Sequence, residues 1–251
     1  MNDTSPFVGG TSGKPIYLTK RRSRSCKTLE ANNGGSRIVE NVRFDGGVKV
    51  LVDDVTIRNF EINGGKYGVD SNVFEGSVSG LVLEDGEISG QSSSGLLVSG
   101  TIARRLHIHH QGADAVKAWN DVVVEDSYVH HLGSISGSHS DGVQMVGGSN
   151  VTIRRNHFDM PHDEPGFTNS QVMIIQTHSP IDGVIIDSNW INGGGYSVQI
   201  NDKGVGNGYP LNVQITNNRF GREYQFGPLR FKDGTPDVVA GNVWDDTGAP
   251  I

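Results

Sequence analysis

All nine histidines of this 251-residue chain fall between His107 and His178. Imidazoles titrate near neutral pH and ligate metals, so this stretch is where proton transfer, metal binding or a polar sugar-lining surface would sit. Two pairs recur: His109 and His110 follow Ile108, and His130 and His131 follow Val129. If Ile108 and Val129 hold one place in successive turns of a repeat, His109 lies over His130 and His110 over His131. Asp159 then continues the first column. Neighbours in such columns are about 5 Å apart. Outward histidines in turns are also ordinary surface residues, so the pairs alone do not choose between these readings.

The motif SHSDGVQM (138–145) is the second constellation. Asp141 opens a strand that sends Val143 inward and Gln144 outward. One turn earlier Asp114 opens the segment AVK, with Lys117 outward. Asp114 and Asp141 are thus expected to stack, as are Lys117 and Gln144. Two carboxylates about 5 Å apart raise each other's proton affinity and can divide acid and base roles, at a separation used by retaining glycosidases. Aspartate at a bend also caps backbone amides, which is the bland alternative.

The expected catalytic set is Asp141, His139, Asp114, Lys117, His131 and His110. A lyase would use the same surface for β-elimination. Lys117 or a histidine would be the base, and Gln144, Gln199, Arg230 or a bound Ca²⁺ would hold the sugar carboxylate. His109, His130 and Asp159 join the binding set, with Trp190 and Tyr196 as aromatic platforms. No metal-ligand set is assigned, because the chain has no dense aspartate cluster, no His-x-x-x-His helix motif and no cysteine pair. Ca²⁺ or another divalent ion stays open as a cofactor.

These side chains must be positioned by a repeat. Nine segments end at Phe44, Ile62, Ile88, Ile108, Val129, Phe158, Ile191, Phe220 and Trp244, at intervals of 18, 26, 20, 21, 29, 33, 29 and 24 residues by subtraction. Each carries apolar residues at alternate positions, as in VTIRRNHF (151–158) and VQITNNRF (213–220). Alternation of period two marks strands with one buried face, and a repeat of this length marks a solenoid. The expected fold is all-β: a single-stranded right-handed parallel β-helix of about nine coils. It forms one domain over 1–251, with 1–36 an incomplete first coil or cap. Val55, Leu81, Val122, Val151, Val184 and Val213 form one inward column, and Ile57, Leu83, Val124, Ile153, Ile186 and Ile215 a second. Asn156, Asn189, Asn218 and Asn242 form a ladder at the bend. A second strand per coil points Val69, Leu96, Val116, Val143, Val198 and Leu229 inward and leaves Leu97 outward and exposed. The phase of QVMIIQ (171–176) is ambiguous. The long coils carry the histidines, as expected of insertions that build a binding face.

The 35 glycines and 35% hydrophobic content suit a narrow core with many tight bends. A net charge of −7 argues against general nucleic-acid binding. The basic run KRRSRSCK (20–27) reads as a solvated edge. Cys26 is the single cysteine, and no apolar stretch is long enough for membrane insertion. The opening MNDTSPFVGG lacks the regions of a signal peptide, so the expectation is either a trimmed N-terminus on an extracellular protein or arrival without that route, as for a phage virion protein released by lysis.

The stretch GTSGKPIYL (10–18) resembles the first coil of right-handed parallel β-helix proteins of the polysaccharide lyase-like group. The tail NNRFGREYQFGPLRF…GNVWDDTGAPI (217–251) is similar to the ends of actinobacterial and phage tail β-helix proteins, where a His-x-Asp-Gly-[Ile/Val]-Gln motif like SHSDGVQM recurs. The aspartate pattern of polygalacturonases and the Asp and Arg pattern of pectate lyases are absent. The resemblance implies the fold and carries no established activity with it. The expected function, from the residues above, is a carbohydrate-active protein that cleaves an acidic or complex polysaccharide by lyase or hydrolase chemistry in a groove along the coils. The alternatives are a non-catalytic glycan-binding phage tail or adhesin module, and a structural spike. The expected assembly is a monomer or a side-by-side homotrimer.

Overall fold

The computed structural model describes Ile16–Leu18 and residues 36–251. The predicted cap at 1–36 and the basic run therefore lie almost wholly outside the described residues. Every pairing between named strands is parallel, in two sheets of nine and fourteen strands. The nine-stranded sheet takes one strand from each turn of the chain, running from Ile16–Leu18 to Gly227–Lys232. No helix occurs among the described residues. This is a parallel β-helix.

The fourteen-stranded sheet is bent into two limbs. Long strands such as Thr101–His109 cross the bend, while the next turn splits into Val122–Glu125 and Tyr128–His130. At the bend, Asn59, Asp85, Arg105, Asp126, Arg155 and Asn217 all have φ between 47° and 56°. Asn and Asp tolerate this left-handed region; arginine does so less readily. Here the arginines are held by neighbours one coil away: Arg105 Nε lies 2.6 Å from Asp85 Oδ1, and Arg155 Nε 2.8 Å from Asp126 Oδ1.

The nine segment ends stack as expected, with Phe44 on Ile62, Ile88 on Ile108, Val129 on Phe158, Ile191 on Phe220 and Phe220 on Trp244. The two other predicted columns are also in register and fully buried, but each contains one residue the apolar frame passed over. Thr101 stands between Leu81 and Val122, and Ala103 between Leu83 and Val124. Thr101 is tolerated because its hydroxyl donates to Ser99 O at 2.8 Å. The asparagine ladder is complete: Asn156 Nδ2 donates to Asn189 Oδ1, Asn189 to Asn218 and Asn218 to Asn242, at 2.9–3.0 Å. Each of these oxygens also accepts the preceding rung's backbone N–H, so no buried amide group is wasted.

In the nine-stranded sheet Val69, Leu96, Val116, Val143, Val198 and Leu229 share one column, and Met173 fills the ambiguous turn between Val143 and Val198. The outward column next to it reads Asp70, Leu97, Lys117, Gln144, Ile174, Gln199 and Arg230. One expectation fails here. Leu97 is 3% exposed, not an open apolar residue, and Ile174 is likewise covered. Strand parity sets which way a side chain leaves the sheet. It does not set what loops then lie over it.

Candidate functional site

Two groups of titratable side chains lie on different sheets. The first opens the strands of the nine-stranded sheet. Asp114 and Asp141 are stacked one coil apart and both are buried, at 2% and 0% exposure. One oxygen of each caps the next turn: Asp141 N–H donates to Asp114 Oδ1 at 2.8 Å, and Gln171 N–H to Asp141 Oδ1 at 3.0 Å. The second oxygens meet side chains. Lys117 Nζ pairs with Asp114 Oδ2 and donates to Gln144 Oε1 at 2.8 Å. Gln144 Nε2 reaches Asp141 Oδ2 at 3.3 Å, and His139 Nδ1 reaches it at 3.2 Å.

Burial, then the Asp141 charge, pushes the Asp114 carboxyl above its usual range against the pull of Lys117. The hydrogen bond to Asp141 lifts His139, and burial opposes it less strongly. His139 is exposed. It lines a cleft of about 370 Å³ with His162, Thr168, Gln171 and Phe226. In this cleft the buried Gln171 Oε1 and His162 Nδ1 have no hydrogen-bond partner. Tyr196 packs against Phe226 at 5.4 Å, and the Arg230 guanidinium sits 5.1 Å from the Tyr196 ring.

Two expected roles need correction. Neither carboxylate is exposed, so Asp114 and Asp141 do not form an open acid–base pair; they hold Lys117 and His139. Lys117 is engaged by Asp114 and Gln144, so it neutralises a buried charge instead of facing a substrate as a free base.

The second group covers the far limb of the bent sheet. His130 pairs in register with His109 and with Asp159. The His109 and His130 rings stack at 5.1 Å, and those of His110 and His131 at 5.2 Å. His131 Nε2 contacts Glu164 Oε1 at 3.0 Å, and Phe167 meets both His110 and His131 edge-on. Phe167 backs the imidazoles and also lines the His139 cleft. Burial and neighbouring imidazoles lower the proton affinity of His109, and that of His130 down to about 3.

Beside these pairs runs a column of which only Trp190 was in the predicted set: Glu87, His107, Tyr128, His157, Trp190 and Arg219, in register turn by turn. From His107 to Arg219, this column and the bend residues wall a groove of about 780 Å³. His157 and Trp190 stack at 4.1 Å. Of the predicted binders, Trp190 belongs to this groove, Tyr196 and Arg230 adjoin the His139 cleft, and Gln144 belongs to the buried-aspartate network. Gln199 lies between Ile174 and Arg230 in the outward column, and Asp159 accepts from Asn192 at 3.0 Å. The missed residues were within reach. His107 is two residues before His109 and so shares its face, and Glu87 precedes His107 by one coil.

The fold and sites define a parallel β-helix with polar and aromatic faces along its coils. No protein-family model and no curated protein matches the chain. Among solved structures it is similar to the catalytic unit of a thermostable GH87 α-1,3-glucanase from Streptomyces thermodiastaticus, at 12% identity and a TM-score of 0.43 over 95% of this chain and 70% of that one. The catalytic domain of a GH87 α-1,3-glucanase in complex with tetrasaccharides aligns at 11% identity and a TM-score of 0.35, over 82% of this chain and 59% of that one.

Proposed function

We propose that this β-helix binds an acidic polysaccharide along its coils and cleaves it at His139. The observation that carries the reading is an exposed imidazole fixed by a fully buried carboxylate, in a cleft with unpartnered polar atoms. With Nδ1 held by Asp141, the Nε2 atom is the one left to meet a ligand. The Tyr196 and Phe226 rings beside the cleft suit a sugar face. Arg230 suits a uronate carboxylate.

With both aspartates buried, elimination fits better than a two-carboxylate hydrolysis. Neutral His139 Nε2 takes the proton beside the sugar carboxylate. The C–H electrons form a carbon–carbon double bond, the neighbouring C–O bond breaks, and the leaving oxygen takes its proton from water, while His139 returns its own to solvent. Arg230, three coils from Gln144 in the outward column, suits the carboxylate of another sugar of the same polymer. Such a polymer would be met outside the cell or by a virion.

A panel of acidic polysaccharides tests this by ultraviolet absorbance of unsaturated ends alongside reducing-end release. Unsaturated product from the wild type, lost in His139→Ala, supports elimination. Reducing ends without unsaturation would make the protein a hydrolase. A second reading, glycan binding without turnover, is favoured by the Trp190 groove. Binding that depends on Trp190, with no product from any polymer, would establish it.

A further inference from the structure

We propose that Glu87, His107, His109 and His130 form a binding site for a divalent transition metal of the zinc class, independent of the His139 cleft. The placement follows from strand geometry. His107 and His109 are two residues apart on one strand and leave it on the same side. Glu87 is the in-register neighbour of His107 one coil earlier, and His130 that of His109 one coil later. Four potential ligands thus occupy adjacent positions of one lattice, with steps of about 5 Å along columns.

The side chains converge. Ligand atoms of Glu87, His107 and His109 all lie within 4.8 Å of one another. His109 Nε2 is 3.2 Å from Glu87 Oε1, and His107 Nε2 is 2.6 Å from His130 Nε2. Ligands around a tetrahedral zinc at about 2.0–2.1 Å stand roughly 3.3 Å apart, so the His109 and His130 rings, parallel at 5.1 Å, must turn toward each other to close on the metal.

The paired histidines then have a division of labour. His109 Nδ1 faces His110 Nδ1 at 2.7 Å, and His130 Nδ1 faces His131 Nδ1. In each pair the first imidazole keeps Nε2 for the metal and uses Nδ1 on its neighbour. His131 passes the chain of contacts on to Glu164 at 3.0 Å. Metal-bound imidazoles are commonly oriented in this way through their second nitrogen. His110 and His131 are accordingly positioning residues. Three imidazoles and one carboxylate suit zinc, nickel or copper; Ca²⁺ and Mg²⁺ favour all-oxygen sites.

The test uses the full chain, dialysed against a chelator and titrated with Zn²⁺ in competition with a chromophoric indicator. One equivalent should bind, and Zn²⁺ should raise the melting temperature. His107→Ala and His109→Ala should each weaken binding at least tenfold and abolish the thermal shift. His110→Ala and His131→Ala should weaken it about tenfold to a hundredfold. His157→Ala, in the neighbouring groove, should leave the Zn²⁺ affinity unchanged. X-ray absorption of the Zn²⁺-loaded wild type needs no variant and should show about three imidazoles. No binding, binding indifferent to His107→Ala and His109→Ala in folded protein, or fewer than two imidazoles at the metal would overturn the site.

Discussion

Asp114 over Asp141 and His109 over His130 are the same device used on two walls, yet they end in opposite states. The aspartates open strands beneath a bend, and each spends one oxygen on the next turn's backbone. They are buried and rigid, and they reach solvent only through His139 and Lys117. The histidines close their strands on the bent sheet, with His110 and His131 in the left-handed bend, and their ring nitrogens contact one another and Glu87. Stacking in a solenoid therefore guarantees proximity but not accessibility. The place of a residue within its strand decides whether a pair becomes structural support or a reactive surface.

The largest expected effect lies in the buried pair. Asp141→Ala leaves the Gln171 N–H and the Gln144 amide without their acceptor and should cost about 3 kcal/mol in urea unfolding, whereas Asp141→Asn keeps the cap and should cost about half of that. His109→Ala in metal-free protein should cost no more than about 1 kcal/mol. Equal losses at the two sites would erase the contrast. Next in size, Trp190→Ala should lower polysaccharide affinity about tenfold, or about 1.4 kcal/mol, by isothermal calorimetry, with an unchanged unfolding midpoint.

The smallest effect is in pH dependence. His139 binds its proton more tightly in the folded protein than an ordinary imidazole does, chiefly through its hydrogen bond to Asp141. Its contribution to stability is thus fully present below about pH 6.5 and is lost as pH rises through the raised value. Proton NMR of the ring should place the His139 titration above that of an ordinary imidazole, and Asp141→Asn should bring it down. An unmoved titration would mean that the exposed imidazole is not governed by the buried carboxylate.

Much of the lattice could be read in advance. Nine segment ends, the asparagine ladder and both histidine pairs fall in the columns that alternation and spacing predict, because a one-residue slip would turn every buried side chain outward. Thr101 and Ala103 escaped the frame because a small or self-satisfied polar residue fills an inward slot without an apolar signature. Glu87 and His107 obey the same register but lack a repeated dipeptide to draw notice. The cover over Leu97 and the wedge of Phe167 were not legible, since loop conformation follows no period.

Sequence periodicity by itself determined which residues become vertical neighbours, since parallel backbone pairing converts a fixed interval into a fixed contact. Only the tertiary structure decided which neighbours meet solvent. That outcome depends on where the bends fall and where residues 131–141 and 161–170 come to rest, and these are set by side-chain and backbone hydrogen bonds between coils, such as Thr168 Oγ1 to Gly133 O at 3.2 Å.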